Sequence, residues 1–593
     1  MADAFRFSPR ANRAAEIPWQ HWGPEAFALA RSSDRPILLS LSAVWCHWCH
    51  VMDETSYSDP DVIATIARNF VPIRVDNDER PDINARYNMG GWPTTAFLAP
   101  DGSILTGATY LPPPAMRQAL TRLAHYYAEH RDKIEAVMEE ARHESDTPLP
   151  ATALDESAAD ALFERARTSY DERHGGFGDA PKFPQCDLLE FLLDDGLAGR
   201  HESLAMTIRT LRAMAGGGTY DRIEGGFFRY STTADWSVPH FEKMAEDHGA
   251  LLRILARLLA YEHDAALQIA LEQSTAYVRA TLYDAERGVF CGSQDADERY
   301  FALDAAERAR NERPFVDPTS YTAWSAALAG AFAQVALVTG AEEHADIARR
   351  VLDTLDAQMR DSDGLMLRVW RAGEEPRVRG ILADQCAMIA ASLDAYEALG
   401  EERFFERADR LARATLAAFA PDGGAAADRI ASEGALGRLA LRDRPLAENA
   451  SLARSLLRIS EIADRPEEGD RARAILATFA ASYREAGLFA ASYARATALA
   501  LRPRAKLTIR GSAVETRGWR RAALALGAPE LSIASERCSG EAPSATLCIG
   551  TLCGAPMREP GALAAAYRAL VPGSNKRVPV PAAPEPDEHR VEH

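Results

Sequence analysis

A turn that returns six times through the middle of the chain constrains the fold more than any other feature. It reads Tyr170-Asp-Glu-Arg-His-Gly-Gly-Phe177, then Tyr220-Asp-Arg-Ile-Glu-Gly-Gly-Phe227, then Tyr283-Asp-Ala-Glu-Arg-Gly-Val-Phe290. Weaker copies follow at Asp361-Ser-Asp-Gly-Leu365, Phe419-Ala-Pro-Asp-Gly-Gly424 and Tyr483-Arg-Glu-Ala-Gly-Leu-Phe489. The glycines at 176, 226, 288, 364, 424 and 487 are separated by 50, 62, 76, 60 and 63 residues. Each interval holds two helices and their links. The intervening segments, such as Ala250–Tyr261, Tyr321–Leu337 and Ser451–Ile459, carry apolar residues at i, i+3 and i+4. Periodicity of this length marks a repeat architecture. Six copies followed by a changed pattern predict a closed (α/α)6 toroid over 155–502, with an open helical solenoid as the alternative.

The segment before the repeats reads differently. Pro36-Ile-Leu-Leu-Ser-Leu-Ser42 is a short apolar strand that runs through Ala-Val-Trp45 into Cys46-His-Trp-Cys49-His50. Helical spacing follows from Val51, interrupted near Asp59-Pro60. Then come an apolar strand at Phe70–Asp76, the turn Gly90-Gly-Trp92-Pro93, and two strands joined as a hairpin at Pro100-Asp-Gly102. Strand, CxxC, helix, strand, proline and hairpin in that order predict a thioredoxin-like domain over 1–145. A helix N-terminus stabilises a thiolate, so Cys46 is the expected nucleophile and Cys49 the resolving thiol. Pro93 stands where such folds place a cis-proline, and His47 and His50, if protonated, would lower the thiol pKa. Three rivals compete for the motif. Cys46-His-Trp-Cys-His50 matches haem attachment, a zinc site could use the same residues, and the pair could be structural. No second ligand pair at zinc spacing stands nearby, so no metal and no cofactor are expected.

Composition bounds the partners. A chain of 593 residues exceeds a single core, and a net charge of −19 argues against nucleic acid. No apolar run reaches membrane-spanning length and the first residues have no signal-like apolar stretch, so a cytoplasmic protein is expected. After Pro503 the pattern changes to short strands near 505–510, 530–534 and 545–549 and helices near 518–526 and 560–570. This predicts a small α/β segment over 503–571, in which Cys548 and Cys553 read as ordinary core residues. The Pro-rich 572–593 is expected to be disordered. The fold class is thus multidomain, α/β plus all-α. The charged helical stretch Lys133–Arg142 between the first two units reads as a stiff spacer.

Several strings together resemble the spermatogenesis-associated protein 20 family: Cys46-His-Trp-Cys-His-Val-Met52, Glu79-Arg-Pro-Asp82, Gly90-Gly-Trp-Pro93 and Pro100-Asp-Gly102. The toroid is similar at Gly178–Pro184, Arg229-Tyr-Ser-Thr232, Trp236–Met244 and Ser293-Gln-Asp-Ala-Asp297. The resemblance implies a thioredoxin domain joined to a toroid like those of sugar epimerases and six-hairpin glycosidases. Four positions depart from the pattern. Ser40 replaces the buried Asp of ordinary thioredoxins, and the link from Tyr87 to Gly90 is short. Phe228 stands where the family commonly has His, and the chain after Asp297 lacks a long insertion. If the returns line one mouth, Lys182, Asp221, Arg229, Tyr230, Trp236, His240, Glu242, Lys243, Asp295 and Asp297 gather there, with Trp48 and Trp92 contributed by the thioredoxin unit. Aromatics, carboxylates and a His suit a sugar pocket, although charged residues at helix returns are commonly structural. Three functions follow. The first is thiol–disulfide exchange with a protein or small-molecule partner. The second is binding or modification of a sugar-like ligand, with the thioredoxin unit as scaffold. The third is a non-catalytic or chaperone-like role. Packing of the Cys46 edge near His240 in one composite cleft is a further expectation.

Overall fold

The computed structural model describes residues 5–143, 150–431, 435–536 and 542–571. The tail beyond 571, Cys538 and the last part of the spacer lie outside them.

In the first unit, helix α1 (Pro24–Ser33) precedes strand β1 (Ile37–Ser42), and α2 (His47–Glu54) and α3 (Pro60–Asn69) lead to β2 (Val71–Asp76). Helix α4 (Pro81–Tyr87), strands β3 (Thr94–Leu98) and β4 (Ile104–Ala108), and helices α5 (Pro113–Glu129) and α6 (Arg131–His143) complete it. The sheet order is β2-β1-β3-β4, with β1 parallel to β2 and antiparallel to β3. Every residue of β1 is buried because helices cover both sheet faces. Ile37, Leu39 and Leu41 meet Phe27 of α1 and Tyr87 of α4 on one face. Leu38 meets Ile66 of α3 and Leu120 of α5 on the other. This is the thioredoxin-like arrangement, and the interruption at Asp59-Pro60 is present: Asp59 caps α3 and Pro60 is its first residue.

Twelve long helices follow in alternation. The outer ones are α7 (Ala158–Ser169), α9 (His201–Gly216), α11 (Ala265–Tyr277), α15 (Glu342–Gln358), α17 (Glu402–Phe419) and α19 (Pro466–Ala477). The inner ones are α8 (Cys186–Leu197), α10 (Ala245–Tyr261), α14 (Thr322–Thr339), α16 (Leu382–Leu399), α18 (Leu446–Ala463) and α20 (Ala491–Leu501). Two short helices, α12 (Glu298–Phe301) and α13 (Ala305–Arg308), lie between α11 and α14. Each inner helix packs on the next, and α20 packs back on α8, so the ring closes and the solenoid alternative falls. Inner helix α14 is apolar on nearly every face, as a doubly packed helix must be. By length and composition it is long and apolar enough to cross a membrane, which corrects the reading that no such run exists. It lies between α10 and α16, mostly buried.

The recurring turns are the links of this ring. At the first, Gly176 has φ +81°, and a Cβ there would come within 2.5 Å of the Trp236 ring. The thioredoxin-like unit covers the mouth formed by the N-terminal ends of the inner helices. Arg86 of α4 pairs with Asp428, Tyr87 accepts the Arg438 N–H, and Arg368 donates to the Asp78 carbonyl. The last unit covers the opposite end. Its strands Leu531–Glu536, Ala505–Arg510, Ser544–Ile549 and Leu552–Cys553 neighbour each other in that order. Helices α21 (Arg517–Leu526) and α22 (Leu563–Leu570) pack on the sheet. Arg520 of α21 donates to the terminal carbonyls of Tyr396 and Glu397 on α16. Cys548 and Cys553 face each other across two antiparallel strands and are joined by a disulfide. Cys553 is exposed, so the expectation of small core residues is corrected.

Candidate functional site

The CxxC takes its geometry from the start of α2. Cys46 is the N-cap, and its Sγ accepts the Cys49 N–H at 3.1 Å. The first turn of α2 holds no carboxylate, so no other anion occupies the positive end of the helix dipole. The two cysteines are joined by a disulfide, and the Trp92–Pro93 bond beside them is cis, as the sequence predicts. Cys46 is 4% and Cys49 2% exposed, because both pack into the same apolar cluster as the toroid's inner helices.

The toroid reaches this edge through three short strands, β5 (Tyr230–Ser231), β6 (Pro239–His240) and β7 (Lys243–Met244). Arg229, just before β5, lays its guanidinium 3.8 Å from the ring centre of Trp45 and 5.6 Å from that of Trp92. Its backbone N–H donates to the Glu242 carbonyl at 2.8 Å. The Glu242 side chain, 1% exposed, holds Nδ1 of His240. The His240 ring stacks on Tyr230 at 4.7 Å and meets the edge of His47 at 6.0 Å. Phe183 extends the stack on the other side of Tyr230. Cys46, cis-Pro93, His47, Arg229, Tyr230, His240 and Glu242 therefore lie together where the two units meet.

Several carboxylates border this junction. Asp78 accepts the Trp45 Nε1–H at 2.7 Å, and burial pushes its pKa up to about 7. Burial also raises Asp247 to about 7 and lifts Glu246, both in the first turn of α10, while the Arg229 charge opposes each shift. Asp295 rises to about 7 through burial, against the opposing charge of Arg6, 3.7 Å away. Tyr230 is pushed up to about 12 by burial, so its hydroxyl stays protonated.

Other candidates are framework. Lys243 is fully buried and donates from Nζ to Asp221 and the Gly225 carbonyl, at 2.7 and 2.8 Å. Lys182 does the same one repeat earlier, to Asp171 and the Gly175 carbonyl. Asp221 also pairs with Arg308 of α13. Trp236 is fully buried and donates to the Gly175 carbonyl, and Asp297 caps α12. Four of these are buried and hold turns, and Asp297, partly exposed, holds the start of α12. Two further expectations are corrected. His50 is pushed down to about 4 by burial and then by the Arg6 charge, so it is neutral near pH 7 and lends no charge to a thiolate. Trp48 is 48% exposed and meets Tyr110 of its own unit, whereas Trp92 is partly buried against the toroid.

Sequence reasoning passed over Trp45, Asp78 and Phe183. Trp45 directly precedes the motif, and that adjacency was the available signal. The departures at Phe228 and after Asp297 are coupled. Phe228 packs edge-on to Phe241 and to Phe301 of α12, which belongs to the segment that takes the place of the family's insertion. Among the described residues no group of three or more His, Cys, Asp or Glu side chains is placed to hold a metal ion.

Residues 8–145 match the family model Thioredox_DsbH, described as a protein of unknown function, DUF255. An uncharacterized protein of Caenorhabditis elegans is 36% identical over 272 residues, 42% of this chain and 37% of its own. Human spermatogenesis-associated protein 20 is 32% identical over 309 residues, 47% of this chain and 39% of its own. The matched region thus spans about two-fifths of the length of these relatives, and they bear out the resemblance carried by the motifs. Among solved structures, cellobiose 2-epimerase from Spirochaeta thermophila covers 57% of this chain and 94% of its own, at 15% identity and a TM-score of 0.48.

Proposed function

We propose that the chain is a thiol–disulfide oxidoreductase whose CxxC works inside a cleft closed by the toroid. The observation that carries this reading is Cys46 at the N-cap of α2, beside cis-Pro93, with no competing carboxylate in the first helical turn. In the reducing direction the Cys46 thiolate attacks one sulfur of a substrate disulfide. A mixed disulfide forms and the other sulfur leaves as a thiolate that takes up a proton. The Cys49 thiolate then attacks Sγ of Cys46 and expels the remaining substrate sulfur, so two electrons pass to the substrate. An external dithiol resets the pair. With Cys46 only 4% exposed, the partner is a small-molecule disulfide or an extended segment, not the face of a folded protein. The setting is cytoplasmic, and neither nucleic acid nor membrane takes part. The test is the reduction potential and thiol pKa of the pair, together with turnover of a small disulfide. Cys46→Ser abolishes turnover and Cys49→Ser traps a mixed disulfide. Unchanged thiol reactivity in Cys46→Ser would refute the assignment.

The oriented His240–Glu242 pair under the Tyr230 ring favours a second reading, in which the toroid binds a sugar-like ligand and His240 moves a proton. Thermal shifts across a panel of mono- and disaccharides test it. A flat panel, or shifts that survive His240→Ala, counts against it.

A further inference from the structure

A cavity of about 230 Å³ runs inside the ring, from Asp187 and Ser492 near the starts of α8 and α20 to the C-terminal unit. Inner helices α8, α10, α14, α16, α18 and α20 line it, and the C-terminal unit closes it through Arg520 and Leu531–Ile533. Most of its charges are matched. Glu190 binds Arg253 and Arg495, Asp194 binds Arg257 and Arg495, and Arg458 binds Asp394 and Glu397 at 2.9 Å each. Arg504 pairs with Glu461 at 3.4 Å.

Two guanidiniums on this wall have no carboxylate partner among the described residues. Arg520 donates only to carbonyls and to Ser535. Arg454 makes no hydrogen bond or ion pair with the described residues, and Asp194 is the carboxylate whose charge acts on it. The donors left without a partner are Arg454 Nε, Arg520 Nε and Arg257 Nη1, each with its nitrogen buried. Buried donors are nearly always bonded, so three on side chains that line one cavity call for an acceptor from outside the chain. Buried cations call for an anion as well.

We infer that this cavity binds a compact oxyanion, a phosphomonoester or a dicarboxylate, with Arg454 as its principal ligand and Arg520 and Arg257 completing the donor set. Asp187 on the same wall is a carboxylate with no ion pair among the described residues, so the unmatched cations outnumber the unmatched anions by one, and planar guanidinium forks suit phosphoryl or carboxylate oxygens. The cavity admits only a small ligand. This site is separate from the cysteine cleft and stands or falls independently of it.

The test uses the full chain, with calorimetric titration and thermal melting at constant ionic strength. Inorganic phosphate and malonate are the probes and chloride the control. The expected result is saturable binding of phosphate, malonate or both, with a matching rise in melting temperature, and which one saturates identifies the source. Arg454→Met weakens that binding by roughly tenfold or more, and Arg454→Lys restores part of it. Without anion, Arg454→Met melts at or above the wild-type temperature, because an unpaired buried cation has been removed. Absence of saturable binding by either probe, unchanged affinity in Arg454→Met, or a lower anion-free melting temperature in that variant would overturn the inference.

Discussion

Glu79 gives the sharpest handle on the closed cleft. It lies in the thioredoxin-like unit and accepts from Arg371 and Arg377 of the toroid, the latter through both oxygens at 3.0 Å. All three side chains are no more than one-quarter exposed, so the pairs are only partly screened. Hydrogen bonds to charged groups contribute about 1.5–3 kcal/mol each. Both arginines keep other partners, and residual screening lowers the sum, so Glu79→Ala should weaken docking of the two units by about 2 kcal/mol. That is about a 30-fold larger population with the cleft open. Cys46 reports it directly. After reduction by a phosphine, wild-type Cys46 should alkylate far more slowly than a free thiol of equal pKa, and Glu79→Ala should accelerate it about 30-fold. A separate denaturant titration of the thioredoxin-like unit checks that its own stability is little changed. Equal alkylation rates in the two proteins, or a wild-type rate matching a free thiol, would refute the closed-cleft reasoning.

Lys243→Met should cost about 1.5–3 kcal/mol, because Asp221 loses one charged partner and keeps Arg308, and denaturant unfolding measures it; the reduction potential of Cys46–Cys49 should not move. Asp247 has a folded pKa of about 7, well above an ordinary carboxylate, and its Oδ2 has no partner. The folded state therefore holds a proton that the unfolded chain releases above about pH 4, and this contribution is lost as pH rises to about 7. Asp247→Asn should gain melting temperature over wild type progressively from about pH 4 to about pH 7 and level off above it; a difference independent of pH would contradict the assignment. The Cys548–Cys553 bridge closes a short loop, so replacing both by Ser should cost about 2 kcal/mol in the C-terminal unit, read by thermal melting, without changing turnover at Cys46.

The parts legible in the sequence were those with a period or a local chemistry. The recurring glycines mark the six links, and Pro93 after Gly-Gly-Trp marks the cis bond. The unbroken apolar run of β1 is legible as a strand buried on both faces. What stayed hidden depended on partners distant in the chain. Nothing local to Lys182 or Lys243 says that each Nζ is taken by an aspartate and a glycine carbonyl, although comparing the two repeats could have suggested it. His50 looks like a thiolate-stabilising cation until burial and Arg6 are seen to keep it neutral. Trp45 reads as strand-end packing until Arg229, far along the chain, lies on its face.

Ring closure also bears on how the chain is made. Helix α8 is buried from Leu188 to Leu197, with Leu188, Leu189, Phe191, Leu192 and Leu193 among the covered residues, and its partner α20 comes late: Glu190 and Arg495, bonded across the seam, are 305 residues apart. At about 5–20 residues per second, α8 leaves the ribosome roughly 15–60 s before α20 can cover it. The thioredoxin-like unit is already complete by then, and the mouth it covers has only begun to form. The nascent toroid therefore spends that interval as an open arc with an apolar edge, and during synthesis this edge, rather than the finished surface, is where a chaperone would bind.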